Sequence, residues 1–169
     1  MKKLLILFAL ILALAGFFYY YFSTPKILER RLESLMDTLS FGVVSLKNIE
    51  KEGDHFASHF ASEVTFSGAG NEIISGTVEP NELRELYLEK YRVALKSAQT
   101  QRIGEFFVKL TAANEAEMEA TLQFKLILRD NTSYPQEMPT RLHWIKEDGK
   151  WVISEVQLQL PTEANLNFS

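Results

Sequence analysis

Hydrophobic positions begin this chain as an unbroken run, continue at helical spacing, and end in strict alternation. Lys2 and Lys3 precede an uncharged run from Leu4 to Phe22, whose 19 positions would span roughly 28 Å as a helix, close to a bilayer core of about 30 Å. The run predicts a transmembrane helix over about residues 4–22 and divides the chain into an anchor, 1–25, and a domain, 26–169. Ser23-Thr24-Pro25 interrupts it, and Ile27, Leu28, Leu32, Leu35, Met36 and Leu39 then fall on one face of an amphipathic helix. From Phe41 to Asp54 there is no clean period. Phe56, Phe60 and Val64 recur four apart before Val64-Thr65-Phe66 alternates, the pattern of a brief helix and a short strand. Glu79-Pro80 opens another helix, with Pro80 in its first turn, Glu82 and Glu85 near its positive end, and a face of Leu83, Leu86, Tyr87, Tyr91, Ala94 and Leu95.

After Ser97 the period becomes two: Phe106, Val108 and Leu110, then Ala120, Leu122, Phe124, Leu126 and Leu128, alternate with polar residues. Two further strands, about Thr140 to Lys146 and Lys150 to Leu160, are joined by Asp148-Gly149, a strong two-residue hairpin signal. If Glu147 pairs with Lys150, Trp144 faces Ile153 and Leu142 faces Glu155. The expected fold is α+β: helices packed on a strongly bent antiparallel sheet that forms a cone with a pocket, behind an N-terminal transmembrane helix.

Composition narrows the functional classes. Removing Lys2 and Lys3 from 18 basic residues leaves 16 against 22 acidic ones, a net of −6 that opposes a grip on phosphate backbones, so no nucleic-acid partner is expected. The absence of cysteine excludes thiolate nucleophiles, disulfides and cysteine-ligated metals, and no cofactor is expected. Ala13-Leu14-Ala15 offers an alternative reading in which a signal peptide is cleaved near Ala15 and the domain secreted. Cleavage would leave Phe17-Phe18-Tyr19-Tyr20-Tyr21-Phe22 on a soluble N-terminus, whereas on an uncleaved anchor these form an interfacial aromatic belt. The short basic tail favours a single pass with the domain on the non-cytoplasmic side, although Lys26, Arg30 and Arg31 flank the other end.

The order of elements resembles the nuclear transport factor 2-like, or SnoaL-like, superfamily of cystatin-like α+β cones. Three stretches carry the resemblance: Asp54 to Phe66, similar to that superfamily's helix-to-first-strand passage; Glu79 to Leu95, in the place of its third helix; and the closing hairpin with Asp148-Gly149-Lys150-Trp151. The resemblance implies that ligand-contacting groups line the concave face and the third helix. It nominates Tyr87, Tyr91, Phe124, Leu142, Trp144, Trp151, Ile153, Glu155 and Gln157 as pocket residues.

Within that set, Glu155 is the weak catalytic candidate, a carboxylate whose pKa an apolar cone would raise toward the range of a general base; otherwise it is an edge carboxylate in water. Tyr87 and Tyr91, one turn apart, would be electrophiles if their hydroxyls entered the cone, and core aromatics if not. His55, His59 and Glu63 follow at four-residue spacing, which would stack weak metal candidates on one continuous helix. Phe56 and Phe60 mark the buried face of that segment, however, and place the histidines on its wetter side. The outer sheet face, with His143 and the apolar Ile145, Val152, Val156 and Leu158, is the expected surface for a homodimer or an envelope protein partner. The leading reading is a membrane-anchored extracytoplasmic binding or assembly module, non-catalytic, with an apolar small molecule as a possible ligand. The alternatives are a pocket enzyme of isomerase, dehydratase or hydrolase type, and a structural subunit of an envelope secretion or transport complex.

Overall fold

The stripe expected on the first helix is where the core begins: Leu28, Leu32, Leu35 and Met36 are buried along α1 (Thr24–Leu39). The computed structural model describes residues 11–14, 16, 19–42, 48–68 and 76–159. After α1 come α2 (Ile49–Ala57), β1 (Phe60–Gly68), β2 (Gly76–Val78) and α3 (Pro80–Glu85), which runs on through a π-helical turn (Leu86–Tyr91) into α4 (Arg92–Ala94). Four long strands follow: β3 (Leu95–Ala112), β4 (Glu115–Leu128), β5 (Ser133–Glu147) and β6 (Lys150–Leu158).

The strands form one six-stranded sheet in the order β2-β1-β6-β5-β4-β3. The expected antiparallel meander is its second half. The sheet as a whole is mixed, because β1 returns beside β6 and pairs with it in parallel. Periodicity reports that a segment is a strand and which faces it presents, but it does not report the partner. Bulges bend the strands. Gly104, at φ 70, sits in the register shift between Ile103 and Phe107 of β3, where a left-handed residue relieves the extra length of the bulged strand. One core cluster fills the concave side, from Leu28 on α1 through Val64, Met118, Leu142 and Trp144 to Ile153. No core residue precedes Ile27, so residues 24–169 hold the whole described core.

The closing hairpin forms as expected up to a point. Asp148 and Gly149 have φ of 48 and 77, both positive as a type I′ turn requires, and Glu147 pairs with Lys150 and Trp144 with Ile153. The register then shifts between His143 and Trp144. His143 pairs with Glu155 and Leu142 with Val156, leaving Ser154 as the extra residue, its Oγ 2.8 Å from His143 Nδ1. A one-residue slip exchanges the faces of all that follows. The expected pairing of Leu142 with Glu155 is therefore corrected: Val156 and Leu158 turn to the concave side, and Glu155 and Gln157 turn away from it. Of the four apolar residues assigned to the outer face, Ile145 and Val152 remain there.

Two helical expectations also change. The π turn inserts an extra residue into the helix after Glu85 and rotates the stripe beyond it, so Ala94 is exposed while Arg92 is buried, and Leu95 already belongs to β3. The segment holding His55, His59 and Glu63 is not one helix, since α2 ends at Ala57 and Glu63 lies in β1. His59 is fully buried instead of wet. The expected anchor, residues 4–22, lies largely outside the described residues; 11–14, 16 and 19–21 are helical. Among the described residues no helix is long and apolar enough to cross a membrane.

The turn between α2 and β1 is held from two sides. Arg31 of α1 donates to the carbonyls of Ser58 (2.9 Å) and Trp151 (3.1 Å), and Ile153 N–H donates to His59 O (2.9 Å). His59 Nδ1–H in turn donates to His55 O at 2.8 Å. Burial, aided by the nearby charge of Arg31, lowers the His59 pKa from 6.5 to about 4. The unfolded chain thus binds a proton that the folded chain refuses, and stability should fall as pH drops from 6.5 toward 4, by on the order of 3 kcal/mol from this group. Urea unfolding across that range, compared with His59→Gln, checks this. The variant should lose part of the pH dependence, and an identical slope in both proteins would remove His59 as its cause.

Candidate functional site: an apolar cavity beside the end of the first helix

Leu32, Leu35 and Leu39 of α1, Phe56 of α2, Phe60 and Phe66 of β1, and Leu122, Phe124, Leu142, Ile153, Val156 and Leu158 from the sheet surround a half-open cavity of about 270 Å³. Leu83 and Leu86, with Tyr87 and Tyr91 of the π turn, form another wall, and Thr140 of β5 completes the lining. This is slightly below the roughly 300–1,000 Å³ of ordinary small-molecule sites.

The tyrosines are placed by the needs of α1. Its last four carbonyls have no partner within the helix. Met36 O accepts from Ser40 Oγ (2.8 Å) and Asp37 O from Ser40 N–H (3.2 Å). Thr38 O accepts from Tyr87 OH (3.0 Å) and Leu39 O from Tyr91 OH (2.8 Å). The wide π turn brings the two rings into a stack with centroids 5.7 Å apart, and Phe56 stacks on Tyr87 at 4.8 Å. Burial pushes both phenols up to about 12, so they stay protonated and keep donating at any physiological pH. The third hydroxyl, Thr140 Oγ1, donates to Met138 O at 3.0 Å.

Among the described residues no carboxylate, imidazole, ammonium or guanidinium lines the cavity. Of the residues nominated from the sequence, Tyr87, Tyr91, Phe124, Leu142 and Ile153 come together on its wall. Trp144 and Trp151 are buried in the adjoining core without lining it. Glu155 accepts from Gln157 Nε2 (2.7 Å) and lies between Thr65 of β1 and His143 of β5. The pair is therefore on the far side of the sheet, and Glu155 is not within reach of a ligand in the cavity. His55, with its Nε2 3.2 Å from Ser34 Oγ, is exposed. Among the described residues no group of three potential metal ligands exists, and His55, His59 and Glu63 do not converge. Sequence reasoning missed Val156 and Leu158 because of the bulge, and it passed over Phe56, Phe60 and Phe66 as lining residues although their aromatic spacing was visible.

The cone of helices and bent sheet recurs in solved structures. A scytalone dehydratase-like protein from Novosphingobium aromaticivorans superposes with a TM-score of 0.65 at 13% identity, covering 81% of this chain and 83% of that one. A nuclear transport factor 2-like superfamily protein from Salmonella enterica gives 0.64 at 11% identity, covering 87% and 99%. This chain has the nuclear transport factor 2-like fold. A type 3 hexachlorocyclohexane dehydrochlorinase from Novosphingobium barchaimii shares it at a TM-score of 0.58 and 14% identity, covering 83% and 93%. No protein-family model matches the sequence, and no curated protein does. Likeness at such identities carries the fold alone.

Because the phenols act as helix caps, Tyr87→Phe and Tyr91→Phe should each destabilise the domain by about 1–3 kcal/mol, the usual effect of orphaning a buried carbonyl. Urea unfolding at pH 7 measures this. A neutral effect at both positions would mean that Thr38 O and Leu39 O find other partners.

Proposed function

We propose that this protein is a membrane-tethered, non-catalytic module of the nuclear transport factor 2-like fold that holds a small apolar molecule on the non-cytoplasmic side of its membrane. The observation that carries the reading is the cavity itself: about 270 Å³ walled by hydrocarbon and aromatic rings, whose hydroxyl donors are all taken by backbone carbonyls. Proton transfer needs a titratable group within reach of the reacting atom, and among the described residues the lining offers none that changes charge near neutral pH. Neighbours of this fold include proteins named as a dehydratase and a dehydrochlorinase. Among the described residues the cavity here has no acid or base in its lining. The tether is supported by the apolar run from Leu4 to Phe22. It is supported as well by the exposed Tyr20 and Tyr21 just before α1, which lie under Lys26 and Arg30 at 5.3 and 4.1 Å, a pairing suited to the bilayer interface.

Naphthalene, which has neither donor nor acceptor, tests the binding reading with residues 24–169. It should cause saturable NMR shifts at Leu142, Ile153 and Val156 that Val156→Phe, which fills the space, abolishes. No saturable shift in the parent protein, or shifts indifferent to the filling variant, would contradict it.

A further inference from the structure

The edge that β3 gives the sheet is covered over only part of its length. Phe41 pairs with Ala98 across that edge, and Ser40 Oγ accepts from Thr100 N–H at 2.8 Å, so the chain leaving α1 covers the start of β3. Beyond Thr100, among the described residues, no backbone hydrogen bond from another element reaches the free edge. Such a row of unpaired N–H and C=O groups is a template for a further strand. Proteins that must not pair at an edge blunt it with proline or with charges that repel an incoming strand. No proline occurs in Leu95–Ala112, and past Gly104 its charges are Glu105 and Lys109 alone. Arg102 is turned back onto its own domain, 3.1 Å from Glu29 Oε1 and stacked over Phe106 at 4.5 Å.

The bare stretch is apolar where it is exposed, with Phe107 68% and Leu110 54% accessible. Glu105, Phe107 and Lys109 share the outer face: the first two line one groove with Glu119, Thr121 and Arg141, and Lys109 stands opposite Glu117 in the ladder. Among the described residues neither Glu105 nor Lys109 forms an ion pair. These two charges are opposite in sign and lie symmetrically about Phe107. An antiparallel copy of the same strand centred on Phe107 sets Glu105 of each copy against Lys109 of the other. It also sets Phe107 against itself and Phe106 against Val108 on the concave side. Directly opposed aromatic and opposite-charge pairs are the stabilising ones in such a ladder. Centring on Phe106 would oppose Glu105 to Phe107, and centring on Val108 would oppose it to Thr111, so neither register matches the charges.

We propose that a second copy of this chain docks strand to strand on β3 through the stretch from Glu105 to Lys109, in the register centred on Phe107, and joins two domains into one continuous sheet. The proposal goes beyond ligand binding. It is edge-to-edge pairing, distinct from the face-to-face packing expected of the outer surface around Ile145 and Val152.

Disulfide trapping tests it with the full chain, which has no cysteine of its own, in the cells that produce it. Oxidation with copper phenanthroline should link Phe107→Cys into a dimer and leave Gln123→Cys, on the outer face of β4, monomeric. In the Phe107→Cys background, Glu105→Lys opposes lysine to lysine and Lys109→Glu opposes glutamate to glutamate. Each alone should lower the trapped dimer about tenfold, two pairs having turned from attraction to repulsion. Producing the two variants together restores both ion pairs in the mixed dimer. The yield should then return to that of Phe107→Cys, with one copy of each variant per dimer, a rescue that an unfolded variant could not give. The proposal is overturned if Phe107→Cys is trapped no better than Gln123→Cys, if either charge reversal leaves the yield unchanged, or if the mixture fails to recover.

Discussion

A helix that ends inside a protein leaves its last four carbonyls to be satisfied by something other than itself, and the end of α1 determines much of what surrounds it here. Two of those carbonyls are met locally by Ser40. The other two are met by phenols roughly 50 positions along the chain, Tyr87 for Thr38 O and Tyr91 for Leu39 O. The helix carrying these phenols must lie against the end of α1, and its π turn orients both rings to the same side. The space between this pair of helices and the bent sheet is the cavity.

The cavity chemistry follows from that arrangement. The two phenols on the pocket wall are capping groups, so they are fixed and their protons are committed, and the Thr140 proton is committed to Met138 O. Reactive chemistry would need an additional titratable group, and the register shift at Ser154 turns Glu155, the one nominated for that role, to the other side of the sheet. The same shift brings Val156 and Leu158 inward and makes the wall more apolar. One extra residue in β6 therefore separates an acidic pocket from an apolar one on the same backbone plan.

Most of the architecture was legible. The stripe on α1, the two long alternating strands β3 and β4, and the Asp148-Gly149 turn were read correctly, because each follows from periodicity or from a turn that demands positive φ. The parallel pairing of β1 with β6 was not legible, since a strand's alternation does not name its neighbour. The bulge was not legible either: Ile153-Ser154-Glu155-Val156 is compatible with unbroken alternation as far as Ile153-Glu155-Gln157, and a single extra residue leaves little trace in composition. The site was half visible for the same reason. Tyr87, Tyr91, Phe124, Leu142 and Ile153 precede or lie outside the slip, while Glu155 and Gln157 follow it. The end of α2 at Ala57 similarly dispersed the spacing of His55, His59 and Glu63, which depended on a continuous helix.

A cavity that serves a neutral apolar molecule should hold one when the protein leaves its membrane. Native mass spectrometry of the full-length chain, released from detergent after purification from its own membranes, tests this most directly. The expected result is a non-covalently bound neutral apolar molecule that dissociates on activation. Recovery of the chain empty in every preparation, or with a carboxylic acid bound, would contradict it.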